Sequence, residues 1–247
     1  MDLNNKVALI TGGTQGIGAA IAERLAAAGA TVCIVARNIN DAGIRDTITS
    51  RGGKCVLIQG DVASEDVCRD VVKQAADSCG SIDILIHSAG AAAPGSLEGE
   101  ARKVWYSAFD VHVHAAFHLS SAAVPHMKKN GEGAILFVSS AAGLRGVRNA
   151  LAYAVVKGAI PQFTRALALE LSDYNIRVNC ISPGIIRTRF QDYLTPEQIS
   201  RNINDRIPLH REGTPQDVAE AACMLLVNEF ITGENVTIDG GMTMRIV

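Results

Sequence analysis

Tyr153 and Lys157 stand four residues apart in Leu151–Asp173, a stretch that reads as a helix. Four helical residues turn about 400° and rise about 6 Å, so both side chains leave the same face. A free tyrosine hydroxyl ionises near pH ~10, too high for a base at neutrality. A neighbouring ammonium stabilises the tyrosinate and lowers that value. Such a pair moves a proton either way, to a carbonyl oxygen under reduction or from an alcohol under oxidation. Ser140, thirteen residues before Tyr153, follows an apolar strand-like run. Its hydroxyl is suited to hold an oxygen on which charge develops. Alone, a Tyr-x-x-x-Lys pattern is usually just a helix surface, so its meaning depends on what else the chain carries.

A second chemical feature lies near the N-terminus. Thr11-Gly12-Gly13-Thr14-Gln15-Gly16-Ile17-Gly18 separates a strand at Lys6–Ile10 from a helix marked by Ile17, Ile21 and Leu25, with Gly29 as its stop. Glycines there permit a tight turn, close backbone approach to a pyrophosphate, and close helix–strand packing. The helix N-terminus offers unpaired N–H groups and a favourable field for phosphate. No Lys-Ser/Thr follows the last glycine, which excludes a Walker-type phosphate loop.

Both features need elements to position them. Further strands are expected at Thr31–Ala36, Lys54–Gln59, Ile82–His87, Gly133–Ser139, Ile176–Ile181 and Asn235–Asp239. Helices are expected at Asn40–Arg51, from the cap Ser64 to about Ser78, across Ala101–Lys129, and at Leu151–Asp173. Thr195-Pro196-Glu197-Gln198 and Thr214-Pro215-Gln216-Asp217 each place Thr at a cap, Pro at the first helical position and an acceptor at the third. Seven strands alternating with helices imply an α/β fold, one doubly wound Rossmann domain over residues 1–247, with a parallel sheet covered on both faces. Such sheets bind ligands beyond the carboxyl ends of their strands.

Composition narrows the function classes. The 247 residues carry a formal charge of -2, which argues against a nucleic-acid or anionic-membrane footprint. Aromatics are 4%, too few for a base-stacking surface. The six cysteines include no C-x-x-C pair and fall in apolar stretches, so they read as reduced core thiols. No signal-peptide pattern and no run of about 18 apolar residues is seen, so a cytoplasmic protein is expected.

Taken together, the T-G-x-x-x-G-x-G loop, Ser140, Tyr153, Lys157, Pro183-Gly184 and the ending Thr232-Gly233-Glu234 to Asp239-Gly240-Gly241 resemble the short-chain dehydrogenase/reductase family. The resemblance covers roughly residues 6–241 and is closest to its 3-oxoacyl-carrier-protein-reductase-like branch. It implies an oxidoreductase that interconverts a carbonyl and a secondary alcohol by hydride transfer, with Tyr153 as acid/base, Lys157 beside it and Ser140 on the substrate oxygen. It assigns cofactor contacts to Gly12, Thr14, Gln15, Gly16, Ile17 and Gly18, to Asp61 and Val62, and to Ser88, Ala89 and Gly90. Tyr153, Lys157, Pro183, Gly184, Ile186 and Thr188 complete that set. Without the family, Asp61 reads equally well as a turn-initiating residue. The thirteen-residue spacing selects Ser140 over Ser139, which reads as a strand-end residue. The resemblance also implies a homotetramer packed through the helices of Ala101–Lys129 and Leu151–Asp173.

Strand two ends Ala36-Arg37-Asn38, with no carboxylate to bind a ribose 2′-hydroxyl, and Arg37 is suited to a 2′-phosphate. NADP(H) is therefore favoured over NAD(H), although Gln15 stands where NADP enzymes of the family often carry a basic residue. Two motifs depart from the family. The usual N-N-A-G reads His87-Ser88-Ala89-Gly90, and a segment whose third residue is normally Asn reads Asp110-Val111-His112-Val113. That Asn helps hold a water linking the lysine to solvent. His112 is expected either to replace it in the proton relay or to titrate near neutrality and add a pH dependence. His112, His114 and His118 lack partners that would complete a metal set, so no metal is expected. Pro161 removes the N–H that would pair with the Lys157 carbonyl.

Residues 91–99, 141–150 and 185–210, the last a lid, are expected to line a pocket for a small-molecule carbonyl or alcohol. Arg145, Arg148, Arg187 and Arg189 there would favour an anionic substrate or an acidic carrier protein, or equally be ordinary solvated charge. The alternative function is a catalytically weak or non-catalytic NADP(H)-binding sensor. A serine hydrolase is excluded by the absence of G-x-S-x-G.

Overall fold

The alternating apolar runs become seven strands: β1 Val7–Thr11, β2 Thr31–Ala36, β3 Lys54–Gln59, β4 Ile84–His87, β5 Gly133–Val138, β6 Ile176–Pro183 and β7 Asn235–Ile238. The computed structural model describes residues 1–40, 43–192 and 194–244. The strands form one sheet, parallel throughout, in the order β3-β2-β1-β4-β5-β6-β7. β4 starts two residues later than the sequence suggests. The Asp83 carboxylate takes the Val7 N–H at 2.9 Å, where a ladder carbonyl would otherwise do so.

Alternate residues of each strand serve opposite layers, as the pleat requires. Ala8, Ile10, Ile34, Ile86 and Leu136 face helices α1 (Gly16–Ala27), α2 (Ile44–Ser50) and α8 (Pro215–Val227). Leu9, Cys33, Leu85, Ile135 and Phe137 face α3 (Glu65–Cys79), α5 (Ala115–Asn130) and α6 (Leu151–Leu171). Residues 41 and 42 of the helix expected at Asn40–Arg51 lie outside the described residues. Both Thr-Pro signals form full capping boxes, at α7 (Pro196–Arg201) and at α8. Among the described residues no helix is long and apolar enough to cross a membrane.

The helical stretch expected at Ala101–Lys129 is not a uniform α-helix. It runs as α4 (Ala101–Phe109), a π-helical turn at Asp110–His114, and then α5. The wider turn seats the buried ring of His112 against Gly90, where even a methyl group would lie 2.4 Å from the ring. Such insertions are rare and tend to accompany functional sites.

The order in which strands are added reverses between β1 and β4. β1 pairs with β2 on one side and with β4 on the other, which opens a crevice beyond their carboxyl ends. The turns after β1 to β6 carry, in order, the glycine loop, Arg37, Asp61-Val62, Ser88–Gly90, Ser140 and Gly184–Thr188.

Candidate active site

The glycine loop leaves β1 with Gly12 at φ +68 and its N–H on the Val35 carbonyl at 2.8 Å. A side chain at Gly12 would meet the Ala89 backbone at 2.8 Å, so this glycine lets the turn after β1 lie directly on the turn after β4. A side chain at Gly18 would meet the Gly12 carbonyl oxygen at 2.3 Å, so the first turn of α1 folds back onto the loop. Gln15, the residue before α1, makes no side-chain cap, and no acidic residue stands in the helix's first turn. The N–H groups there keep their capacity for an anion. Gly16 faces Thr188 across the crevice, where a methyl group on Gly16 would lie 3.4 Å from Thr188 Cγ2.

Other expected cofactor contacts are distributed around this turn. Arg37 is exposed at the end of β2, and its carbonyl accepts from Gln59 Nε2 at 3.0 Å. Asp61 does behave as a turn residue, with Oδ1 accepting from Ala63 N at 3.1 Å. The Val62 side chain is buried in the α3-side core, which leaves only its backbone to face a ligand. Ser88 is half-buried, and its N–H donates to the Thr11 carbonyl at 3.2 Å. The buried Ile186 bridges to Gly213, which ties the start of the lid to the segment before α8. Gly184 donates its N–H to the Ile238 carbonyl at 2.9 Å.

On the opposite wall, Ser140 is extended and caps a short 3₁₀ turn, Ala141–Gly143. Its Oγ accepts from Ala142 N at 3.1 Å, which leaves the hydroxyl proton to donate elsewhere. Gly143 presses that turn onto α6, where a side chain would strike the Lys157 backbone at 2.5 Å. Tyr153 and Lys157 share the inner face of α6, with Lys157 Nζ 5.8 Å from the tyrosine ring centre. Lys157 is buried, donates to the Val138 carbonyl at 2.8 Å, and is pulled down by burial to a pKa of about 8.

The lysine is framed by two histidines. His112 stands edge-on to Tyr153, with ring centres 5.9 Å apart. Its Nε2 lies 3.0 Å from the Ala91 carbonyl oxygen and 3.4 Å from the Ala91 backbone nitrogen, while its buried Nδ1 has no protein partner among the described residues. Burial first, and the Lys157 charge second, push its pKa down to about 2. The expectation that His112 titrates near neutrality is therefore corrected: it stays a neutral imidazole, because burial and the Lys157 charge both oppose a second positive charge. The sequence reading missed His87. Its Nε2 donates to the Val111 carbonyl at 3.0 Å, its Nδ1 accepts from Thr11 Oγ1 at 2.8 Å, and Thr11 Oγ1 accepts from Ala89 N at 3.2 Å. Burial and Lys157 push His87 down to about 4. This chain stitches β1, β4 and the π turn together. The signal for it was the first residue of the departing His87-Ser88-Ala89-Gly90 motif.

Ser139 also does more than end a strand. Its Oγ donates to the Lys157 carbonyl at 2.7 Å, the acceptor that Pro161 cannot reach. Among the arginines considered for substrate charge, Arg187 is paired with the buried Glu212 at 2.6 Å, and Arg145 bonds the Leu144 and Thr243 carbonyls. His114 bonds Asp110, and among the described residues no cluster of three or more metal-ligating side chains forms.

A parallel sheet in this order, with an uncapped helix start after β1 and a Tyr–Lys pair on α6, is the arrangement of a nicotinamide-type oxidoreductase. Comparison with known proteins carries this further. The sequence profile described as Enoyl-(Acyl carrier protein) reductase matches residues 12–243. The 3-oxoacyl-acyl-carrier-protein reductase FabG of Chlamydia muridarum is 34% identical, covering 97% of this chain and 98% of that protein. The 7alpha-hydroxysteroid dehydrogenase of Escherichia coli K12 is 35% identical over 97% of this chain and 94% of that one. A solved 7 alpha-hydroxysteroid dehydrogenase, complexed with NADH and 7-oxo glycochenodeoxycholic acid, superposes with a TM-score of 0.92 at 34% identity, covering 99% of this chain and 97% of that one. The chain belongs to the short-chain dehydrogenase/reductase family, the NAD(P)-dependent dehydrogenases and reductases.

Proposed function

We propose that this enzyme reduces a carbonyl with NADPH, or oxidises the matching secondary alcohol, with Tyr153 donating or accepting the proton. The observation that carries this reading is the buried Lys157 ammonium on the Tyr153 face of α6, held by the Val138 carbonyl. That charge favours tyrosinate and brings the hydroxyl within reach of acid–base work near neutrality. Ser140 donates its remaining proton to the substrate oxygen and stabilises charge there. The dinucleotide, when bound, supplies or takes the hydride. Its pyrophosphate would lie on the free N–H groups of α1, within the cradle that Gly12 and Gly18 keep open. Thr14, Ile17, Ser88, Pro183, Gly184, Ile186 and Thr188 border that cradle.

NADP(H) is preferred over NAD(H), because the exposed Arg37 stands at the end of β2 with no carboxylate in its turn. His112 takes the relay role as a neutral imidazole, through the buried Nδ1 that no protein group among the described residues engages. Residues 185–210 form the lid of a one-domain enzyme. It works in the cytoplasm as a homotetramer, through the helix faces that expose Tyr106, Phe117 and Leu169.

The test is NADPH oxidation, followed by absorbance, across a panel of ketones and aldehydes, with Tyr153→Phe as control. Turnover that depends on Tyr153 supports the enzyme. Tight NADPH binding without turnover on any carbonyl would instead favour a sensor on the same fold. A pH–rate profile unchanged in His112→Ala would remove the relay role. Sedimentation reads the assembly.

A further inference from the structure

The loop that joins Ser140 to Tyr153 and the lid border an open cavity of about 320 Å³. Val147 and Leu194 form its apolar part, and Arg148, Arg201 and Arg206 supply its charge. Among the described residues no carboxylate lines it. Two neighbouring arginines are neutralised, Arg187 by Glu212 and Arg211 by Asp217, whereas Arg148, Arg201 and Arg206, like Arg189, are in no ion pair among the described residues. Arg206 is also held in place, since its Nη1 donates to Oδ1 of the buried Asn202 at 2.9 Å. Three exposed arginines from two chain segments line one cavity, and an oxyanion there would be held by charge-assisted, bidentate hydrogen bonds. The 141–152 segment that supplies Val147 and Arg148 runs from Ser140 to Tyr153, so one loop borders both the proton-transfer residues and the cavity.

We propose that the cavity binds an anionic group, a carboxylate or phosphate, at the far end of the carbonyl substrate. This rests on the reductase reading above. The test uses straight-chain oxo acids of increasing length, each beside its methyl ester and its terminal phosphate analogue, with NADPH. At the length that spans carbonyl and cavity, kcat/KM for the acid exceeds that of its ester at least tenfold, and this advantage shrinks with added salt. The phosphate arm shows which oxyanion is preferred. In Arg201→Ala/Arg206→Ala the acid-to-ester ratio falls toward one, while Arg145→Ala, which removes a charge outside the cavity, keeps it. Equal rates for acid and ester at every length, or a ratio that survives the double substitution, overturns the proposal. Failure of the reductase reading looks different: no member of any pair is turned over. In that event calorimetric titration of decanoate into the NADPH-saturated protein still decides the matter, since binding must be lost in the double variant.

A different observation carries a second inference. Pro161 leaves the Lys157 carbonyl without its helical partner, and Ser139, eighteen residues earlier, donates to that oxygen at 2.7 Å. We infer that Ser139 is a positioning residue, which holds the backbone of Lys157 and so aims its ammonium. In Ser139→Ala, kcat falls about tenfold with KM little changed, and the limb of the pH–rate profile set by the Tyr153–Lys157 pair moves. Restoring a helical N–H with Pro161→Ala in the same chain recovers most of the lost rate. If the double variant is as slow as Ser139→Ala, or Ser139→Ala is as fast as the parent, the inference fails. Should no carbonyl be turned over, the melting temperatures of the same variants must still be non-additive, and additivity overturns it.

Discussion

The two walls of the crevice are built by opposite means. The wall for the dinucleotide is mostly backbone: the φ +68 turn at Gly12, the close approach of Gly18 to the Gly12 carbonyl, and the uncapped start of α1. The wall for the proton is made of side chains taken out of water, namely Lys157, His112 and His87, with Ser139 and Thr11 as their props. Backbone sites resist any added atom but carry no titrating group. Side-chain sites accommodate substitution, as the two histidines show, and pass the pH of the medium into stability and rate.

Substitutions on each wall test this contrast. The largest effect belongs to Tyr153→Phe, which lowers kcat by about 10³-fold while NADPH affinity changes only a few-fold. A parallel loss of cofactor binding in fluorescence titration would show that the walls are not separable. Next, Gly18→Ala forces a methyl group into the Gly12 carbonyl oxygen. NADPH Kd rises at least about tenfold and stability falls by about 1–3 kcal/mol, with the pH dependence of melting unaltered.

The histidines give the third effect, and its sign follows from proton linkage. Their folded pKa values, about 4 for His87 and about 2 for His112, lie below the ordinary 6.5. Below that ordinary value the unfolded chain takes up protons that the folded chain refuses. Stability is thus fully present above it and is lost as pH falls. Between pH 7 and pH 5 each imidazole withdraws about 2 kcal/mol. Melting curves of His87→Asn and His112→Asn therefore lose acid sensitivity, and an unchanged slope would mean the rings are not buried neutral. The smallest effect falls on the exposed Arg37. Arg37→Ala weakens NADPH by about five- to tenfold and leaves NADH unchanged, as read by titration with both. Equal weakening of the two would remove Arg37 as the discriminator.

How much was readable in advance follows the same division. β2 and β3 were legible to the residue, because short apolar runs bounded by polar residues and glycine leave little freedom. The glycine loop and both capping boxes were legible, because backbone geometry admits few residue types. The neutrality of His112 was not, since it depends on burial beside Lys157, forty-five positions away in sequence. Pro161 announced a stranded carbonyl, but only the fold brings Ser139 to it. Arg148 was among the charges considered, whereas Arg201 and Arg206 join it only once the lid lies against the 141–150 loop.

The π-helical turn at Asp110–His114 sets the phase of the whole segment around it. One residue more than an α-turn shifts everything downstream by about 100°. α4 therefore packs against α6, whereas α5 turns its small and apolar side chains toward α3, β4 and β5. Deleting a single residue there would rotate Leu119, Ala123 and Met127 out of the core together, with the chain's composition almost unchanged. In this stretch length is more tightly constrained than identity, and a one-residue gap would do more harm than most substitutions.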